Sequence, residues 1–358
     1  MRILQRTLVA LLLAVCAGGV SAQAWPSKPV RFVVPYPPGG SNDVLTRITA
    51  QAMAPGLGQQ IVIDNRGGAG GMIGADHVAK SVPDGYTIVN VQASFTANAA
   101  LRQKMAYDPM GDFAYIGMMA RGPLLAVVHP SLPVKNIREL IALAKAKPGQ
   151  INYGSTGTGG HNHMATELFK RMAIINIVHV PYKGVAPALT DLMGGHTQLV
   201  MTSLPSAMTS VQAGRLKALA VGSEKRSGFM PDLPTIAESG VPGYMAEFWW
   251  GLAAPAKTPN DIINRLATEL TRALQSPDLK QKFAGEGSEP SVMSREQFTK
   301  FVNNEIVRWR KVAQDSSIKP DKPTFEIEVR PQAASDLGFS VAQLSSSLRT
   351  LVAGQTVG

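Results

Sequence analysis

Short apolar runs of strand length alternate with helically spaced segments along almost the whole chain, and this alternation restricts the fold to α/β layers. Val30–Val34 reads as a buried strand, followed by the loop Pro35-Tyr36-Pro37-Pro38-Gly39-Gly40-Ser41. Apolar spacing at Val44, Leu45, Ile48 and Ala52 then predicts a helix that Pro55-Gly56 should stop. Residues 61–63 read as a second strand, 65–71 as a glycine-rich turn, 72–82 as a second helix and 86–91 as a third strand. The order β-α-β-α-β with short turns predicts parallel strands with helices on both faces.

The pattern then repeats with new material. Residues 124–128 read as a strand, and Asn136 with Glu139 three positions on forms a capping-box-like start for a helix through Lys145. Strands at 151–153, 177–180, 197–201 and 216–221 alternate with helices near 161–172, 186–193 and 206–213. A further strand near 248–253 leads into three amphipathic helices near 259–275, 278–284 and 294–313. Two α/β units joined by strand-like crossings near 120–128 and 245–253 place a cleft between them, with the last helices returning to the first unit. In open parallel sheets a ligand sits beyond the carboxyl ends of the strands, where loops lead into helix N-termini.

The first 24 residues stand apart. Arg2 and Arg6 precede the uncharged apolar run from Leu8 to Ala17 and the small-residue end Ala22-Gln23-Ala24, the layout of a cleaved secretory signal. That run is too short to span a bilayer, and no later stretch approaches the ~20 apolar residues of a transmembrane helix. Cys16 could instead be a lipoprotein's acylated cysteine, but Val15 stands where that signal wants a small residue. Cys16 is the single cysteine, so its removal with the signal excludes disulfides, thiol nucleophiles and cysteine-ligated metals.

Removing 24 of 358 residues leaves about 334, enough for two ordinary domains. The formal charge of +10 falls to +8 because Arg2 and Arg6 are the only charges removed. A basic protein attracts anions at long range. Lysine and arginine are dispersed without aromatic clustering, which argues against a nucleic-acid partner.

Three glycine-rich loops carry the candidate chemistry. Pro37-Pro38-Gly39-Gly40-Ser41-Asn42-Asp43, Gly67-Gly68-Ala69-Gly70-Gly71 and Gly154-Ser155-Thr156-Gly157-Thr158-Gly159-Gly160 each offer unobstructed backbone N–H groups beside a helix start. Such groups bind carboxylates or phosphates. The rival reading makes the glycines mere turn formers. Gly68-Ala69-Gly70-Gly71-Met72-Ile73-Gly74 follows a strand and opens a helix, yet its spacing is wrong for the dinucleotide fingerprint. His161, His163 and Glu167 could be drawn as a metal site, but no further ligand set joins them. No Gly-x-Ser-x-Gly elbow, P-loop or His-Glu-x-x-His occurs. An exported oxidoreductase or hydrolase is the competing class; the sequence points to neither catalytic residues, nor a metal, nor a cofactor.

Several motifs, taken in order, resemble a known family. Trp25-Pro26-Ser27-Lys28-Pro29-Val30, Val34-Pro35-Tyr36-Pro37-Pro38-Gly39-Gly40, Asp64-Asn65-Arg66 before Gly68-Ala69-Gly70-Gly71, and Pro83-Asp84-Gly85-Tyr86-Thr87 are similar to the tripartite tricarboxylate transporter receptors, or Bug family. His129-Pro130-Ser131-Leu132-Pro133, Asn152-Tyr153-Gly154-Ser155, His179-Val180-Pro181-Tyr182-Lys183-Gly184 and Leu233-Pro234-Thr235-Ile236-Ala237-Glu238 extend the likeness over residues 25–319.

The resemblance implies a two-domain periplasmic-binding-protein (Venus flytrap) fold, each domain a mostly parallel sheet flanked by helices. Lobe 1 would comprise 25–122 plus 250–319, and lobe 2 would be 123–249. It further implies a monomeric periplasmic receptor that delivers a small carboxylate to membrane permease subunits. By position, Pro38, Gly39, Gly40 and Asp43 would hold the ligand from one lobe, and Ser155, Thr158 and Gly159 from the other. Tyr182, Lys183 and Gly184 would line the same end, and Ser94, Thr202 and Ser203 complete the candidate set.

Two departures stand out. Gly67 replaces a usual proline, and Met201-Thr202-Ser203 stands where many members carry Phe-Asp-Asn, which favours a carboxylate without an ammonium group. The tail, 320–358, looks foreign: 322–358 resembles a periplasmic fragment of a resistance-nodulation-division efflux pump, through Pro323-Thr324-Phe325-Glu326-Ile327-Glu328-Val329 and Ala333-Ala334-Ser335-Asp336-Leu337-Gly338-Phe339-Ser340-Val341. One strand and one helix cannot bury an apolar face alone, so pump activity is not implied. Intact mass of the exported protein should place its first residue within a few positions of Trp25, without an acyl chain; a lipidated species beginning at Cys16 would refute this.

Overall fold

The computed structural model describes residues 25–101, 105–316 and 318. The signal expected at 1–24 and the efflux-pump likeness expected of the tail both fall outside them. The chain begins β1 (Val30–Val34), α1 (Ser41–Leu57), β2 (Ile61–Asn65), a 3-10 turn Ala69–Gly71, α2 (Met72–Ala79), β3 (Thr87–Gln92) and α3 (Ala93–Leu101). β1 lies between β2 and β3 and pairs with both in parallel, as helical crossovers allow. α1 runs through Pro55-Gly56, the pair expected to end it. Gly58 ends it instead, its φ of 68° turning the chain so that its N–H reaches the carbonyls of Ala54 and Pro55.

A second parallel group follows after β4 (Phe113–Val128) and α4 (Ile137–Ala146). It comprises β5 (Asn152–Ser155), α5 (His161–Ala173), β6 (Val178–Pro181), α6 (Val185–Met193), β7 (Leu199–Ser203), α7 (Leu204–Gln212) and β8 (Lys217–Val221). β5 pairs in parallel with β6 and β7. The Asn136 side chain accepts the Glu139 N–H at 2.9 Å, which is the cap expected for α4.

Two antiparallel strands join the groups. β9 (Glu247–Pro255) inserts between β3 and β4, giving the order β2-β1-β3-β9-β4-β7-β5-β6. β4 is continuous over 16 residues: positions 113–123 pair with β9, and positions 124–128 pair with β7 and β8. The crossings read near 120–128 and 245–253 are these two strands.

The chain returns to the first group through α8 (Asn260–Gln275), α9 (Pro277–Gly285), β10 (Glu289–Pro290) and α10 (Arg295–Asp315). α10 opens with a capping box between Ser294 and Gln297 and packs on α3 and β4. Its buried Phe298 fits against bare backbone, since a Cβ at Gly251 would approach the Phe298 ring to 2.2 Å. Phe298 also meets Tyr115 and Trp249 edge-on, at 5.6 and 5.8 Å between ring centres. Phe298→Ala should cost ~3–5 kcal/mol of stability in denaturant unfolding, the range for emptying a buried aromatic site. A loss under ~1 kcal/mol would show that the junction can collapse around the hole.

Candidate ligand-binding cleft

Five loops that leave the carboxyl ends of parallel strands converge on one cavity of about 150 Å³. Each leads into a helix start: α1 through Gly40, Ser41 and Asn42; α3 through Ser94; α5 through Asn162; α6 through Val185 to Pro187; α7 through Ser203 and Ser206. The first-turn N–H groups of a helix have no partner within it, and its N-terminus carries about half a positive charge. Five such ends around one space make it favourable for an anion. No aspartate, glutamate or histidine lines the cavity among the described residues, and Lys183 is the lining residue with a formal charge.

The first loop is held by Asp43 from outside the cavity. The Asp43 carboxylate accepts the Gly39 N–H at 3.1 Å, Arg47 Nε at 3.0 Å and Asn65 Nδ2 at 3.0 Å. Asn65 Nδ2 also donates to the Tyr36 carbonyl at 3.1 Å, so the Pro-Pro-Gly-Gly turn is anchored on both sides. Burial alone would raise the Asp43 carboxyl, but the hydrogen bonds and the Arg47 charge outweigh it and hold it below the ordinary value.

The second glycine loop does not reach the ligand space; it secures Tyr36, which does. Tyr36 Oη donates to the Gly70 carbonyl at 2.8 Å and accepts from Gln92 Nε2. Gly71 has φ 94°, and a Cβ there would lie 2.7 Å from Tyr36 Oη, so only glycine serves. Burial pushes the phenol up to about 12, keeping it a proton donor.

Hydroxyl groups join the two strand groups across the cavity. Ser203 Oγ donates to Ser41 Oγ at 3.1 Å and lies 2.9 Å from Ser206 Oγ. Ser94 Oγ accepts the His161 N–H at 2.9 Å, while its own N–H donates to Gln92 Oε1. The His161 ring is fully buried, edge-on to Phe248 at 4.7 Å and Trp309 at 5.0 Å. Burial pushes it down to about 3, so it stays neutral.

Of the residues expected from sequence, Pro38, Gly39, Gly40, Ser94, Lys183, Gly184, Thr202 and Ser203 line the cavity, whereas Asp43, Ser155, Thr158, Gly159 and Tyr182 do not. The Ser155 hydroxyl is buried 2.6 Å from His179 Nε2 and accepts the Gly157 N–H. The Gly159 N–H donates to His163 Nδ1 at 3.1 Å, and Tyr182 Oη donates to Asp191 at 2.7 Å. His163 stacks on His179 at 4.1 Å, and Glu167 accepts from Tyr153 and Lys170, so the residues drawn as a metal set serve packing and loop support.

Thr156, next to Ser155, reaches the cavity and donates to Asn162 Oδ1 at 3.1 Å. Its place in the third loop and the place of Asn162 at the following helix start were readable signals. Phe248 and the wall of Val185, Pro187 and Leu189 carried none, since each reads as ordinary core.

Parallel α/β groups joined by two crossing strands around an anion-favouring cavity are the architecture of a solute-binding receptor. Residues 45–318 match the tripartite tricarboxylate transporter family receptor, and the chain belongs to that family. It is 36% identical to Protein BugT of Bordetella pertussis over 85% of this chain and 94% of that protein. The structure of Rpa4515 from R. palustris with adipate has a TM-score of 0.80 and 40% identity, covering 83% of this chain and 100% of that one. MatC from Rhodopseudomonas palustris with bound malate has a TM-score of 0.76 and 30% identity, covering 80% and 99%.

The lowered Asp43 carboxyl gives a pH test. A group whose folded pKa is depressed stabilises the protein above its unfolded pKa of about 3.9, and the contribution is lost as pH falls through the folded value. Melting temperature should therefore fall more between about pH 5 and pH 3 for the native protein than for Asp43→Asn. Parallel curves would show that Asp43 does not anchor the loop.

Proposed function

We propose that this chain captures a small carboxylate between two lobes outside the cytoplasm and delivers it to the membrane permease of a tripartite transporter. The convergence of five helix N-termini on a cavity without acidic residues carries this reading. The relatives crystallised with adipate and malate support it. Lobe 1 comprises 25–122 plus 250–319 and lobe 2 comprises 123–249, with β4 and β9 as the flexing strands between them. The receptor works as a monomer, after a signal is cleaved near Ala24.

Pro38, Gly39, Gly40, Ser94, Lys183, Gly184, Thr202 and Ser203 touch the ligand in this reading. Asp43, Ser155, Thr158, Gly159 and Tyr182 position the loops. The efflux-pump-like tail lies beyond position 318, where the family match ends, and contributes nothing to binding. Deleting 322–358 therefore leaves ligand affinity unchanged, and a several-fold loss on titration would refute this.

Thermal denaturation with a panel of carboxylates tests the function. A ligand that binds only the native state adds ~2.7 kcal/mol at a hundredfold excess over Kd. Gly40 has φ −87°, which any residue adopts, and an added Cβ would sit 3.8 Å from Val185 Cγ1. Gly40→Ala should therefore keep the shift, and Gly40→Val, whose extra methyls press on Val185, should abolish it. Stabilisation by neutral solutes or amines but by no carboxylate would overturn the proposal.

A further inference from the structure

The cavity combines strong provision for negative charge with no acidic side chain among its described lining residues, and part of its wall is hydrocarbon. Val185, Pro187, Leu189 and Phe248 supply the apolar side. Thr202 and Ser203, both buried, present hydroxyls. Of the acids beside the lining segments, Asp43 is engaged with Arg47, Asn65 and Gly39, Asp191 with Tyr182, and Glu247, next to Phe248, has the Arg121 and Arg308 charges near it.

From this we infer that the receptor selects acids whose carbon chain carries no ammonium group, with the wall of Val185, Pro187, Leu189 and Phe248 as the determinant. The inference rests on the carboxylate reading and narrows it. An ammonium group in this cavity would leave water without a carboxylate to meet it and would face the positive ends of five helices. Asn42 Oδ1 is buried without a partner, but a neutral carbonyl does not balance a full charge. A hydroxyl on the chain is a different case, because Ser41, Ser203, Ser206 and Thr156 can hydrogen-bond it. A bare methylene chain suits the wall best.

Val185 tests the determinant directly. It opens α6, where an acidic residue suits the helix dipole, and its Cγ1 faces Gly40 across the cleft. Val185→Asp therefore places a carboxylate on the wall at a position the helix accepts, and Val185→Asn controls for shape.

Calorimetric titration at neutral pH would compare matched acids: succinate, malate and aspartate; adipate, 2-hydroxyadipate and 2-aminoadipate; hexanoate and 2-aminohexanoate. The unsubstituted acid of the best-bound series should exceed its amino analogue in affinity by at least ~tenfold, about 1.4 kcal/mol, with any hydroxy analogue between them. Val185→Asp should narrow that ratio by ~tenfold, and Val185→Asn, polar but uncharged, should narrow it by no more than ~threefold. If Val185→Asp does not fold, the ratio in the native protein decides alone. An amino acid binding as tightly as its unsubstituted partner would overturn the inference and leave the carboxylate reading standing. No binding by any acid would overturn both.

Discussion

β9 must satisfy two neighbours at once, hydrogen-bonding β3 along one edge and β4 along the other. Without it the first parallel group would end in an open edge, and β4 would have no partner over its first eleven positions, 113–123, apart from the two-residue β10. Because β9 and β4 are antiparallel while β1, β3, β5, β6 and β7 lie in parallel groups on either side, the carboxyl ends of both groups face one cavity. The site follows from that arrangement, which is why its residues come from loops spread from Tyr36 to Phe248.

The polar groups around the cavity divide their work. Some present themselves to the ligand space, as Thr202 and Lys183 do. Others support the loops: Asp43 takes the Gly39 N–H, Gln92 and Gly70 fix Tyr36, and the Ser155 hydroxyl pairs with His179. A backbone amide already donated to a neighbouring side chain is not available to a ligand. The glycine loops therefore contribute fewer free donors than their composition suggests, and the first turns of α6 and α7 each lose one donor to a proline, Pro187 and Pro205.

Much of this was legible in the sequence. Period-two apolar runs and helical spacing located the strands of both groups, and the first and third glycine loops lie at the end of the sheet where the cavity opens. α3 was illegible for a physical reason: all nine of its residues are buried, so it has no polar stripe to betray its period. The first half of β4 was hidden by Gly117, Gly122 and Pro123, residues that weaken any strand signal. Ser155 and Thr156 show the limit at the site. Of these adjacent hydroxyls only Thr156 lines the cavity, while Ser155 bonds His179 on another strand, a partner no local pattern reveals.

Hydroxyls, amides and helix ends also fix how the receptor responds to its surroundings. No carboxylate or imidazole lines the cavity among the described residues, and the Tyr36 phenol, at about 12, keeps its proton throughout the neutral range. The lining therefore offers no acid or imidazole whose protonation would change the charge around the ligand space. What ties its two sides together is instead a hydroxyl bridge, Ser203 Oγ to Ser41 Oγ at 3.1 Å, so the two strand groups can move apart only by parting that contact.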